Sequence, residues 1–212
     1  MRGLLLATLV LAAGHLCAAA ESLDQALERL QNRYETTRTL TATFRQTVDS
    51  PTLAGTIESH GTVAFAKPNR MRWDYAPPDR QTIIGDGETL WIYQPDDKQV
   101  IKAPLAEAMP GRTPLNFLAG LGHIGEDFVV RIEREEAGRW VLRLTPRHEG
   151  QLGTLVLTVR KADATVEEAT IMHPLGGGTH LVFSGERRNV QLDPDLFHFT
   201  PPPGVDVVRP PA

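Results

Sequence analysis

Residues 65–75, FAKPNRMRWDY, decide how this chain is read. From Arg70 onward a period of two sends Arg70, Arg72 and Asp74 to one side and Met71, Trp73 and Tyr75 to the other, the signature of a half-buried strand. The same period recurs on either side of it. With RMRWDY there are eleven strand candidates: TATFRQTV, GTVAFAK, QTIIG, TLWIYQ, QVIKA, FVVRIER, RWVLRLTP, LVLTVRK, EEATIMH and HLVFSGE supply the others. Asp86-Gly87, Pro95-Asp96-Asp97, Ala137-Gly138, Lys161 to Ala164 and Gly176-Gly177-Gly178 punctuate them as turns. Short consecutive strands with tight turns predict an antiparallel meander. No internal repeat or long linker divides it, so a single domain is expected.

The meander is apolar on one side. Trp140, Leu142 and Leu144 oppose Arg143 and Thr145, and Leu155, Leu157 and Val159 oppose Thr158 and Arg160. So large a sheet with one apolar face must fold into a sandwich, close into a barrel, or curl around a helix or a ligand. Helices are scarce. ESLDQALERLQNRYETT reads as one, with Ser22 and Gln25 as a capping box and Leu23, Ala26, Leu27, Leu30 and Tyr34 on one stripe. A second is expected within residues 104–122, with Thr113 as N-cap and Pro114 at its first position. Leu115, Phe117, Leu118 and Leu121 leave it almost no polar face, and the surrounding prolines and glycine mark the excursion as a cover more than a framework element.

The first twenty residues differ from the rest. Arg2, the apolar run Leu4 to Ala13 and Ala18-Ala19-Ala20 read as a cleaved secretory signal, leaving 21–212 as the mature domain. The run is short of the roughly 18 residues that span a bilayer. Cys17 follows Leu16, whereas a lipid-modified cysteine normally follows a small residue, so cleavage after Ala20 is the expectation. That cut removes the only cysteine, and with it any disulfide or thiolate metal site. It also moves the formal charge from -4 to -5 by loss of Arg2, which gives no footing for a nucleic-acid partner. With 41% hydrophobic and 23% charged residues, the composition is that of a soluble globular protein, and the export signal with no later apolar span makes a periplasmic or secreted one the expectation.

Catalytic signatures are wanting. Gly120-Leu121-Gly122-His123-Ile124-Gly125 has the dinucleotide-loop spacing, but a helix is expected before it and a strand after it, the reverse of what that fingerprint requires; it reads as a helix-to-strand hinge. His60, His123, His148, His173, His180 and His198 show no close ligand spacing, so no metal or cofactor is expected. His173 and His180 are placed to meet across the Gly176–Gly178 hairpin, as a surface pair. Asp96-Asp97 and Glu133, Glu135 and Glu136 read as turn and hairpin-end charges in preference to paired catalytic carboxylates. There is no phosphate loop and no nucleophile elbow.

FRQ (44–46), KPNRMRWDY (67–75), DGETLWIY (86–93), RTPLNFLAG (112–120) and FHFTPPPGVDV (197–207), in this order, resemble the LolA family, the periplasmic lipoprotein carriers of Gram-negative bacteria. The resemblance implies a mainly β, α+β fold: one curved antiparallel sheet forming an unclosed half-barrel, with an N-terminal helix and a helical lid over an apolar cavity. It implies a non-enzymatic, monomeric carrier that takes the acyl chains of lipoproteins from an inner-membrane ABC transporter and delivers them to an outer-membrane receptor lipoprotein. Met71, Trp73, Tyr75, Leu90, Ile92, Trp140 and Leu142 would line the cavity, and Leu115, Phe117, Leu118 and Leu121 would belong to the lid. Lys67 stands where the family often has an arginine implicated in holding the lid shut. Lysine keeps the charge and lacks the planar fork. A sensory domain of the same fold, reading lipids or lipoproteins through protein contacts, stays open as the alternative, with the end of the chain at Ala212 favouring the carrier.

Overall fold

The N-terminal helix starts where its sequence caps it. Ser22 Oγ accepts from the Gln25 N–H at 3.3 Å, and Gln25 Oε1 accepts from the Ser22 N–H at 2.9 Å, which fixes α1 over Leu23–Thr36. It ends at Thr37, whose N–H and hydroxyl both donate to the Arg33 carbonyl, and Asn189 Nδ2 donates to the Thr36 carbonyl at 3.2 Å. The computed structural model describes residues 22–49, 55–108, 124–136, 138–147, 153–174 and 176–209. The expected signal segment 1–20 and the expected lid residues Leu115, Phe117, Leu118 and Leu121, with the expected cap at Thr113-Pro114, lie outside the described residues.

All eleven expected strands form: β1 (Thr39–Asp49), β2 (Thr56–Ala66), β3 (Arg70–Tyr75), β4 (Gln81–Asp86), β5 (Thr89–Gln94), β6 (Gln99–Pro104), β7 (Phe128–Glu136), β8 (Arg139–Pro146), β9 (Thr154–Arg160), β10 (Val166–Met172) and β11 (Gly178–Arg188). Two four-residue helices, α2 (Leu105–Ala108) and α3 (Ile124–Asp127), flank the stretch between β6 and β7. Gly125, the last glycine of the rejected dinucleotide-type spacing, lies in α3, which runs directly into β7. The hairpin turns fall where turn chemistry put them. Asp86 Oδ1 accepts from the Glu88 and Thr89 N–H groups at 3.0 and 2.8 Å, while Gly87 takes the positive φ of 110° that the β4–β5 turn needs.

A twelfth strand, β12 (Asp206–Val208), was not expected, and it corrects the all-antiparallel reading. It runs parallel to β6, pairing Asp206 with Gln99 and Val208 with Ile101. It reaches that edge after a long passage across the outer face, not through a hairpin, so nothing obliges it to reverse. The order across the sheet is β12-β6-β5-β4-β3-β2-β1-β11-β10-β9-β8-β7. Two meanders are therefore welded by the antiparallel β1–β11 pair, from Leu40↔Arg188 to Asp49↔Gly178. The edges β12 and β7 do not pair with each other, so the sheet is an unclosed half-barrel.

The sheet curls around α1, which touches strands far apart in that order. Arg29 and Arg33 donate to the Ala162 and Asp163 carbonyls in the β9–β10 turn at 2.9 and 2.6 Å. On the other flank Lys67, in the β2–β3 turn, reaches the end of the helix. Ala26 and Leu30 are fully buried against the concave face, within one core that runs from Met71 and Trp73 through Phe44 to Leu142, Leu155 and Leu157.

The polar face of β3 is less open than alternation suggests. A 3-10 turn, Pro194–Phe197, lies over it, and Phe197 packs with Ala64 and Ala66 in a small outer cluster. The Arg72 fork grips Asp74 at 2.7 and 2.9 Å and donates to the Leu196 carbonyl at 3.1 Å. Arg70 lies over the Phe197 ring. These contacts hold the tail on its way to β12.

Candidate functional site

Beneath the C-terminal half of α1 the concave face is not filled. A small recess, about 60 Å³ and open to solvent at its mouth, has Leu40, Ala42, Val63, Phe65, Val166 and Phe183 as its apolar wall and Tyr34 of α1 as part of its roof. The inward side chains of β1 and β2 face it because of register: Ala42 is opposite Val63, and Leu40 is opposite Phe65. Phe183 comes from β11, brought beside β1 by the weld between the two meanders.

The seven expected lining residues belong to or pack on one extended core and none borders the recess. Met71, Trp73, Leu90, Trp140 and Leu142 are buried in the core, with Tyr75 and Ile92 packed against it. Phe65 and Phe183 stand against Trp73 at centroid distances of 5.9 and 6.4 Å, and Phe44 meets Trp73 and Tyr75 edge-on at 4.9 and 5.0 Å. Trp73 thus backs the recess without bordering it. Trp140 is at the other flank of the barrel, under the Arg29 and Lys161 cations.

The roof is held by polar contacts. Lys67 Nζ donates to the Tyr34 carbonyl and, at 3.4 Å, to the Glu35 carbonyl, both in the last helical turn, where the Tyr34 carbonyl also accepts from the Thr37 N–H at 3.3 Å. Burial holds the Lys67 ammonium below lysine's ordinary pKa, and the Glu35 carboxylate works against that shift. Arg33 pairs with Glu186 and lies 3.7 Å from Asp163. Enclosure, reinforced by Glu186 and opposed by Arg33, pushes the Tyr34 phenol far above its ordinary range, so it stays neutral. Among the described residues, then, Lys67 ties the end of α1 and not the 105–108 segment.

The other sequence candidates have surface roles. Asp96 pairs with Arg80 at 2.5 Å, Glu133 with Arg143 at 3.0 Å, Glu136 with Arg134 at 2.8 Å, and Glu135 with Lys161. His180 Nδ1 bonds Thr170 Oγ1 at 2.9 Å and His173 Nε2 lies 3.5 Å from Thr179 Oγ1, so the two histidines do not bond each other. The recess wall itself was missed: Val63 and Phe65 alternate in GTVAFAK as plainly as Trp73 and Tyr75 do in RMRWDY, but only the pairing of β1, β2 and β11 shows which alternation faces open space.

A family model described as "Outer membrane lipoprotein carrier protein LolA" matches residues 35–200. A protein of Methylibium petroleiphilum is 36% identical over 205 residues, covering 96% of this chain and 96% of its own length. One from Chromobacterium violaceum is 33% identical over 190 residues, covering 90% of each. Both are named outer-membrane lipoprotein carrier protein. Among solved structures, an uncharacterised conserved protein from Thermus thermophilus superposes with a TM-score of 0.54 at 15% identity, over 89% of this chain and 99% of that one, a likeness of fold alone.

Proposed function

Because the chain belongs to the LolA family of outer membrane lipoprotein carrier proteins, we propose that it is a periplasmic carrier that shelters the acyl chains of lipoproteins in the recess under α1. The observation that carries this reading is the recess itself: a small gap in an apolar wall whose Ala42, Val63, Phe65 and Val166 are otherwise buried, roofed by a helix end held through polar contacts. Each buried methylene is worth roughly 0.8 kcal/mol, so an acyl chain gains substantially by entering. Polar ties at the mouth can be exchanged for water at small cost, unlike the buried grip of Ala26 and Leu30 on the first half of α1. The C-terminal end of α1 is therefore the part that yields as a chain enters, with Met71 and the aromatic Trp73 and Tyr75 behind the wall rearranging for longer chains.

In this reading the protein works as a monomer, without catalysis or cofactor. An inner-membrane ABC transporter supplies the energy for loading, and an outer-membrane receptor lipoprotein receives the cargo. The signal segment 1–20 is removed on export. The regulatory alternative is not favoured, since relatives matching over nearly the whole chain bear the carrier name. Transfer of a labelled triacylated lipoprotein from donor vesicles to acceptor vesicles bearing the receptor tests the proposal. Transfer should depend on the purified chain and should fail with a deacylated cargo. Equal transfer without the chain would reject it.

A further inference from the structure

Four cations and a single carboxylate line the recess of a chain whose formal net charge is -4. The cations are Arg33, Arg38, Lys67 and Arg188, and the carboxylate is Glu186. Arg33 occupies Glu186, and Arg188 Nε lies 3.6 Å from the same oxygen, so two guanidiniums share one partner. Lys67 is committed to helix carbonyls. Arg38, at the mouth, has no side-chain hydrogen bond or ion pair among the described residues. Positive charge is thus in excess where apolar surface is left open, against the sign of the chain as a whole.

We infer that the recess also takes single-chain amphiphiles with an anionic head, a carboxylate or a phosphate monoester, the tail lying against Val63, Phe65 and Phe183 and the head beside Arg38 and Arg188. The inference rests on the reading of the recess as an acyl site and adds a ligand class to it. A guanidinium fork matches either anion in two parallel hydrogen bonds. Glu186 does not cancel the attraction, because Arg33 already holds it. A cationic head would meet the same residues as repulsion, which supplies discrimination and not merely affinity.

The test is displacement of a neutral fluorescent acyl probe from the purified chain by four amphiphiles of one tail length: dodecanoate, dodecyl phosphate, dodecyl maltoside and dodecyltrimethylammonium, each kept below micelle formation. One or both anions should compete roughly 3- to 30-fold better than the maltoside, an advantage that shrinks in high salt, with the ammonium weakest. Dodecanoate or dodecyl phosphate leading identifies a fatty acid or a phosphate-headed lipid as the source. Arg38→Gln with Arg188→Gln should bring the anions down to the maltoside value, and the corresponding lysine pair, which keeps the charge without the fork, should restore part of the advantage. Equal competition by all four, or displacement by inorganic phosphate alone as strong as by dodecyl phosphate, overturns the anionic-head inference and leaves the acyl site standing. A folded chain that binds neither the probe nor any tail overturns both.

Discussion

Replacing Lys67 by leucine should loosen the fold and tighten acyl binding at once. The Lys67 ammonium crosses the mouth of the recess to the carbonyls of Tyr34 and Glu35, and every bond it makes there favours the closed position of α1. A charge-assisted hydrogen bond contributes about 1.5–3 kcal/mol. Lys67 is only half-buried and its second contact is long, so about 1 kcal/mol is the appropriate figure after solvent screening. Lost from the closed state, that amount lowers Tm by about 2–4 °C for a chain of this size. An acyl chain that must displace the helix end no longer competes with it, and probe affinity should rise about fivefold. Thermal unfolding and fluorescence titration of the same samples read the two effects, with Lys67→Arg keeping affinity at or below the wild-type value. The opposed signs are the diagnostic. A fall in Tm with unchanged or weaker binding would show that Lys67 is a structural tie, and that the recess is entered by some route other than the helix end.

Three further outcomes follow from the same geometry. Ala42→Phe places a ring into the small recess that the buried Ala42 borders, so probe affinity should fall at least about tenfold, with an overpacking cost of about 1–3 kcal/mol read as a lower Tm. Gly61→Ala should unfold or severely destabilise the chain, read by denaturant titration, because a Cβ there would lie 2.0 Å from the Asp74 carbonyl oxygen and 3.0 Å from the Phe44 ring. Desolvation would raise the Asp86 pKa, but donors from Trp91, Thr89 and Glu88 outweigh it and hold the carboxyl below its ordinary value. The stability it contributes is therefore present above about pH 4 and lost as pH falls through the depressed folded-state value. Asp86→Asn should be less stable than wild type at neutral pH, with the difference in Tm narrowing in acid.

The eleven strands were legible because each carries its own alternation, and the hairpin turns because Asp86-Gly87 and the glycines at 138, 176 and 177 state their chemistry locally. The capping box of α1 was legible for the same reason. What could not be read is whatever depends on distant pairing. β12 is three residues long and lies beside β6, about a hundred positions upstream, with no turn to announce it. The weld of β1 to β11 decides that Phe183 joins Val63 and Phe65 at the recess, and neither strand advertises the other. Met71, Trp73 and Tyr75 were assigned to the apolar face by periodicity, but alternation says which face a side chain takes and not whether that part of the face is filled. Lys67 could be singled out by resemblance, whereas its acceptors in α1 depend on how the helix lies across the sheet.

The central claim is that acyl chains lie in the recess beneath α1. The most direct measurement loads the purified chain with a lipopeptide whose acyl tail carries a photoreactive group, irradiates it, and maps the adducts by peptide mass spectrometry. Adducts should fall on Leu40, Val63, Phe65 and Phe183, with a non-acylated peptide giving none. Adducts confined to exposed apolar residues outside the recess, such as Met172 and Val182, or no soluble complex at all, would contradict the account.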